Sequence, residues 1–269
     1  MDSHSEGSVK KTGEDLLPIA EHEEEVHEAD GSKVRHKGIY LLPNLFTTAN
    51  LLAGFYAIIS GINGDFYTAA ATVFVAMVLD SLDGRVARLT NTQSAFGAEY
   101  DSLSDMVAFG LAPAIMVFEW ALDDLGKIGW MAAFIYVAGT ALRLARFNTQ
   151  VDTSDKRYFT GLASPAAAGV VAGIVWAFSS SGVVGSDVAW YVAAVVAISG
   201  LLMVSNIKYY SFKELDLKGR VPFVVILAVV LVFSVIFSDP PKVLLMIFLG
   251  YALSGPVQYF FKIYHKIKS

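Results

Sequence analysis

Cysteine is absent from all 269 residues, and charged residues make up only 17% of them. Without a thiol there is no disulfide framework, no thiolate nucleophile and no cysteine zinc site. Histidine is scarce and marginal. His4, His22, His27, His36 and His265 lie in the N-terminal tail, at its junction or at the C-terminus, so none is expected to act as a catalyst. The N-terminal segment lacks the basic start, apolar core and small-residue cleavage site of a secretory leader. No internal repeat and no soluble domain can be recognised, and nothing in the pattern suggests a nucleic-acid partner.

What the chain has in quantity is grease. Hydrophobic residues make up 55% of it and its mean hydropathy is +0.52, a departure toward the membrane class. Apolar stretches near the ~20 residues needed to cross hydrocarbon fall at 43–62, 66–88, 98–119, 128–147, 162–180, 187–206, 221–238 and 242–262. The expected fold is therefore an all-α polytopic membrane protein of eight spans. The net charge of −5 hides an asymmetry: residues 1–30 hold ten acids against Lys10 and Lys11, which leaves the rest of the chain at +3. Residues 1–36 are expected to be an acidic, mostly disordered cytoplasmic tail, with EDLLPIAEHEEEVHE as a short surface helix.

Basic residues orient the spans. Lys33, Arg35, Lys37, Arg85, Arg88, Arg143, Arg146, Lys156, Arg157, Lys208, Lys213, Lys218, Arg220, Lys262, Lys266 and Lys268 gather on one side. The positive-inside rule then puts both termini in the cytoplasm, at the inner membrane. Lys213, Lys218, Arg220, Lys262, Lys266 and Lys268 are expected to attract anionic headgroups. Trp120, Trp130, Trp176 and Trp190 fall near outer span ends, where aromatic belts lie, and Tyr209 and Tyr210 are assigned the same role inside. The small residues of SPAAAGVVAGIV (164–175) are read as helix-packing positions.

Against this background LDSLDGRVARLTNTQSAFGAEYDSLSD (79–105) stands out, because carboxylates beside hydrocarbon are costly unless function retains them. It joins the end of span two to the start of span three, so Asp80, Asp83, Asp101 and Asp105 share a depth near the cytoplasmic face. At 100° per residue Asp80, Gly84 and Ala87 form one stripe with Asp83 at its shoulder, while Gly97, Asp101 and Asp105 repeat at i, i+4, i+8. Four carboxylates facing one another in a poorly solvated cleft repel unless cations bind among them. An all-oxygen donor set suits Mg²⁺ or Mn²⁺, which also engage phosphate oxygens, and two such ions can clamp a pyrophosphate. An ion network with Arg85, Arg88, Arg143 and Arg146 is the structural alternative.

Asp80, Asp83, Gly84, Ala87, Arg88, Gly97, Asp101 and Asp105 fit the pattern DxxDGxxARx8GxxxDxxxD, which resembles the signature of the CDP-alcohol phosphatidyltransferase family. The resemblance implies a six-helix core, here within residues 37–220, followed by two C-terminal transmembrane helices in 221–269, and a homodimer. It implies transfer of a phosphatidyl group from a CDP-linked lipid to an alcohol with release of CMP, assisted by divalent metal, two Mg²⁺ or Mn²⁺ ions. Asp80, Asp83 and Asp101 would be the principal metal ligands, and Asp105 the general base, also within reach of a metal. Gly84, Ala87, Arg88 and Gly97 would line the CDP-diacylglycerol site.

Asn44 and Thr47, behind the helix opener Pro43, are read as nucleotide contacts or as helix caps. LPNLFTTANLLAGFYAI, SDMVAFGLAPA, ALRLARFN, GLASPAAAG and MVSNIKYYSFK are similar to the serine-using, membrane-embedded bacterial branch of the family, so L-serine is the expected acceptor. Its carboxylate calls for an arginine fork, and Arg143 and Arg146 are the candidates, with Lys208 behind them. Glycerol 3-phosphate or an inositol phosphate as acceptor, and a cation transporter lined by aspartates, are the competing readings.

Overall fold

The computed structural model describes residues 23–27, 33–37, 41–89, 94–149, 158–210 and 223–268. The expectations for the first 22 residues, for residues 90–93 and 150–157, and for Lys213, Lys218 and Arg220 lie outside the described residues. The chain divides into Met1–Tyr40 and Leu41–Ser269. In the first unit β1 (Glu23–His27) pairs antiparallel with β2 (Lys33–Lys37), Glu23 opposite Lys37 and Glu25 opposite Arg35. The surface helix expected across this stretch is thus a strand from Glu23 to His27. A helix would stack Glu21 on Glu25 and Glu24 on Glu28 at the repulsive i, i+4 spacing, whereas the hairpin register sets acidic positions against basic ones.

The second unit is a helical bundle. Its helices are α1 (Leu41–Ile62), α2 (Phe66–Leu89), α3 (Ala95–Leu125), α4 (Lys127–Thr149), α5 (Ser164–Ser180), α6 (Gly185–Val204), α7 (Phe223–Ser238) and α8 (Pro240–Lys268). β3 (Tyr158–Thr160) and β4 (Lys208–Tyr210) pair antiparallel and tie the α4–α5 connection to the end of α6. Six of the helices, α1, α2, α3, α4, α6 and α8, are long and apolar enough to cross a membrane, so the chain is an integral membrane protein. Local signals set the boundaries. Asp65 accepts the Thr68 N–H at 3.0 Å to open α2, and Thr68's hydrogen bonds hold that carboxyl below the usual range. Ser94 accepts the Gly97 N–H at 2.9 Å to open α3.

The bundle packs around α5, whose 17 residues touch α2, α3, α4, α6 and α8. Its length is short for a span, and its run from Ala166 to Ala177 is buried by the other helices. Small residues make this possible. A Cβ on Gly169 would strike the ring of Phe248 at about 2.5 Å, and one on Gly173 would sit 3.2 Å from the Leu245 Cβ. The glycines of SPAAAGVVAGIV therefore form the seat of α8, and α7 packs on α8 in turn. Elsewhere α4 meets α6 backbone to backbone: a Cβ on Gly139 would collide with the Gly200 carbonyl.

The aromatic-belt reading needs correction for three residues. Trp130 and Trp190 are exposed, but Trp120 and Trp176 are buried within the bundle, where Trp176 packs against Tyr67 and Phe74. Tyr209 is wholly buried too, while Tyr210 is exposed. The reason for Tyr209 is a proline. Pro256 lies inside α8 and has no N–H, so the Ala252 carbonyl four residues earlier loses its helical partner. The Tyr209 hydroxyl donates to that carbonyl at 3.1 Å. The same arrangement recurs in α3, where Pro113 deprives the Phe109 carbonyl of its α-helical partner and the buried Tyr136 hydroxyl donates to it at 2.8 Å. In lipid such a carbonyl has no water to turn to, so a phenol supplied by a neighbouring helix or strand both satisfies it and fixes the packing register.

Replacing Tyr209 by Phe is expected to lower stability by about 1–3 kcal/mol, the cost of an orphaned buried acceptor. Tyr209→Phe combined with Pro256→Ala should recover most of the loss, because residue 256 then regains an N–H. Thermal unfolding of the four proteins in one detergent measures this, and equal losses with and without the proline would contradict it.

Candidate active site

Three helices build the site. α2 ends at Leu89 and α3 begins at Ala95, so Asp80 and Asp105 lie farther from the junction of the two helices and Asp83 and Asp101 nearer to it. Asp80, Asp101 and Asp105 converge: one carboxylate oxygen from each lies within 4.8 Å of the others, with Asp105 buried and the other two half-buried. Oxygen donors at this spacing can surround one hard cation, and no nitrogen or sulfur ligand stands among them. Asp83 is buried beside this trio, close enough for its charge to interact with those of Asp80 and Asp101. Its Oδ2 accepts the Thr47 hydroxyl at 3.2 Å.

The first helix, which carries no charge in its described part, holds these carboxylates in place. The Ser104 hydroxyl donates to the Thr47 carbonyl at 3.0 Å, and the Asn50 Nδ2 donates to Asp105 Oδ1 at 3.3 Å. Thr47, Asn50, Ser104 and Asp105 are all buried. Below them a Cβ on Gly54 would come within 2.6 Å of the Ala108 Cα, so α1 and α3 touch directly there. Met106–Leu111, immediately after Asp105, is wound as a π-helix, a local widening often found at functional sites. Asn50 escaped the sequence reading. Its signal was its position one helical turn beyond Thr47, in a segment otherwise read as apolar.

The remaining expected residues separate into groups. Gly84 faces open space, since a Cβ there would meet nothing within 4 Å, and Ala87 and the exposed Arg88 follow on the last turn of α2. Gly97 and Asn44 are neighbours: a Cβ on Gly97 would lie 3.6 Å from Asn44 Oδ1. Arg143 is turned into the bundle, its Nη1 donating to Ser164 Oγ at 2.8 Å and its charge interacting with those of Asp105 and Asp80. Arg146 is engaged elsewhere, donating to the Val204 carbonyl at 3.2 Å and to Asn206 Oδ1 at 2.9 Å, where it caps the C-terminal end of α6. Lys208 is exposed on β4 opposite Thr160.

These features define a polytopic helical membrane protein that carries, on two of its long apolar helices, a carboxylate cluster fit for a hard divalent cation. Comparison with known proteins agrees. The family model of the CDP-alcohol phosphatidyltransferases matches residues 40–204, and the chain belongs to that family. Among its relatives, the CDP-diacylglycerol--serine O-phosphatidyltransferase of Helicobacter pylori strain 26695 is 36% identical over 83% of this chain and 92% of its own length. The protein of that name from Methanocaldococcus jannaschii is 33% identical, over 82% of this chain and 95% of the relative. The archaetidylserine synthase of Methanothermobacter thermautotrophicus is 35% identical over 62% and 69%.

Asp80→Asn and Asp101→Asn should each weaken Mn²⁺ binding to the purified protein by roughly tenfold or more, since each removes a charged donor from a three-carboxylate set. Asp239→Asn, which alters only exposed contacts with Lys242, the ion pair at 2.7 Å among them, should leave it unchanged. Electron paramagnetic resonance of free Mn²⁺ reads both, and similar affinities for all three variants would disprove the assignment.

Proposed function

We propose that the protein transfers the phosphatidyl group of CDP-diacylglycerol to the hydroxyl of L-serine, giving phosphatidylserine and CMP. The observation that carries this is the three-carboxylate cluster, set in a family signature and in a chain whose relatives are named for this reaction. The cluster's hard-oxygen donors suit Mg²⁺ or Mn²⁺, two ions by likeness to the family, held by Asp80, Asp101 and Asp105 with Asp83 alongside. Bound metal would neutralise the pyrophosphate and polarise the phosphorus under attack.

The chain's own groups divide the remaining work. Asp105 accepts the proton of the serine hydroxyl as its oxygen bonds to the phosphorus carrying diacylglycerol. The bond from that phosphorus to the CMP oxygen breaks in line, and CMP leaves with the electron pair. Asn44, Thr47, Gly84, Ala87, Arg88 and Gly97 receive the nucleotide end of the lipid; the open space before Gly84 supports this. Arg143 pairs with the serine carboxylate, and its approach to Asp105 supports that role; Arg146 and Lys208 are the further candidates for this contact. The positive-inside charge pattern supports a site and both termini on the cytoplasmic side of the inner membrane, and likeness to the family supports a homodimer as the working unit.

Supplying the purified protein with CDP-diacylglycerol and Mg²⁺ or Mn²⁺ should release CMP with L-serine and at least tenfold less with glycerol 3-phosphate or inositol phosphate. Release with glycerol 3-phosphate and none with L-serine would overturn the choice of acceptor. Asp105→Asn should abolish release. Retained release alongside loss of metal flux in vesicles would favour a transporter instead.

A further inference from the structure

Asn50 sits wholly inside the bundle, with no solvent exposure. Its Nδ2 donates to Asp105 Oδ1, and this fixes the orientation of the amide, because the reverse would press two acceptors together. Its Oδ1 is buried and accepts no hydrogen bond within the structure. Buried polar atoms are almost always paired, so an orphaned acceptor beside a candidate general base points to a ligand donor. The amide places Oδ1 about 2.3 Å from Nδ2 by covalent geometry. Whatever meets Oδ1 is therefore also within reach of Asp105.

Arg143 supplies the complement. Its Nη1 is bonded to Ser164, but its Nε is buried without a hydrogen-bond partner. Asp105 thus has a spare neutral acceptor at Asn50 and a spare cationic donor at Arg143, the latter in electrostatic contact with it. An ammonium only donates and a carboxylate only accepts. A 2-amino-3-hydroxy acid carries hydroxyl, ammonium and carboxylate on neighbouring carbons and matches all three groups. A phosphorylated polyol offers Asn50 only a neutral hydroxyl donor, and its phosphate would bring more negative charge than a carboxylate beside Asp80 and Asp105.

Resting on the acceptor reading above, we propose that Asn50 determines acceptor specificity by receiving the ammonium of a 1,2-amino alcohol, while its N–H pins the Asp105 carboxylate that takes the hydroxyl proton. Arg143 reads the carboxylate separately.

The test compares L-serine with 3-hydroxypropanoate, which keeps hydroxyl and carboxylate but has no ammonium, on the full-length protein with CDP-diacylglycerol and Mn²⁺. Asn50→Leu should raise the KM for L-serine by roughly tenfold or more, while the inhibition constant of 3-hydroxypropanoate stays within about twofold. Arg143→Leu should weaken both. Asn50→Ser, shorter and still polar, serves the same comparison if the leucine variant does not fold. Equal changes in the two constants, or none, overturn the proposal. So does weakened Mn²⁺ binding with an unchanged ratio of the constants, which would make Asn50 a metal ligand. If the unsubstituted protein releases no CMP with L-serine, the acceptor reading and this proposal fall together. If it does and the Asn50 variants keep their preference, only the proposal falls.

Discussion

The constraint on which this molecule depends is the cost of carboxylates inside a hydrocarbon-facing bundle. Aspartates are costly there, and polar contacts from α1 hold two of the four in place. Thr47 takes one oxygen of Asp83, Asn50 takes one of Asp105, and Ser104 anchors α3 to the α1 backbone. Helix α1 is accordingly a clamp: an apolar span whose few polar residues satisfy the acids of its two neighbours. With one oxygen of Asp105 and one of Asp83 occupied by the protein, the cluster keeps oxygens from Asp80, Asp101 and Asp105 within 4.8 Å of each other for a cation.

The same economy governs the backbone. Two helices contain an internal proline, and in both the deprived carbonyl receives a buried tyrosine hydroxyl. Tyr136 links α4 to the middle of α3, just below Asp105. Tyr209 links the strand after α6 to α8. These bonds bring α4, which carries Arg143, and α8 against the functional core. The family match ends at residue 204, yet α8 is seated on the glycines of α5 and its Tyr251 lies beside Arg143. The last helix is thus part of the site's surroundings and more than an appendage.

Much of this could be read from the residues in order. Hydropathy gave eight apolar segments, and eight helices stand among the described residues, with boundaries displaced by only a few positions at most ends. The period of 3.6 put the acids on helix faces, and their placement at span ends gave them a common depth. The glycines of SPAAAGVVAGIV announced close packing, though not against which helix. The misreadings have a shared cause. Trp120, Trp176 and Tyr209 were assigned by height in the membrane, and height is silent on whether a residue faces lipid or a neighbouring helix. The strand at Glu23–His27 was missed because its pairing partner, not its own composition, decides it.

Composition and spacing by themselves therefore determined the membrane class, the helix count and the segments that hold the acidic residues, because each depends on a property of one segment. The rotation of each helix against the next belongs to the tertiary structure. That rotation decided that Asp80 joins Asp101 and Asp105 while Asp83 engages Thr47, that Arg143 turns inward while Arg146 caps α6, and that Asn50 stands beside Asp105. A helical period defines a face, and only side chains packed from several helices at once decide what that face meets.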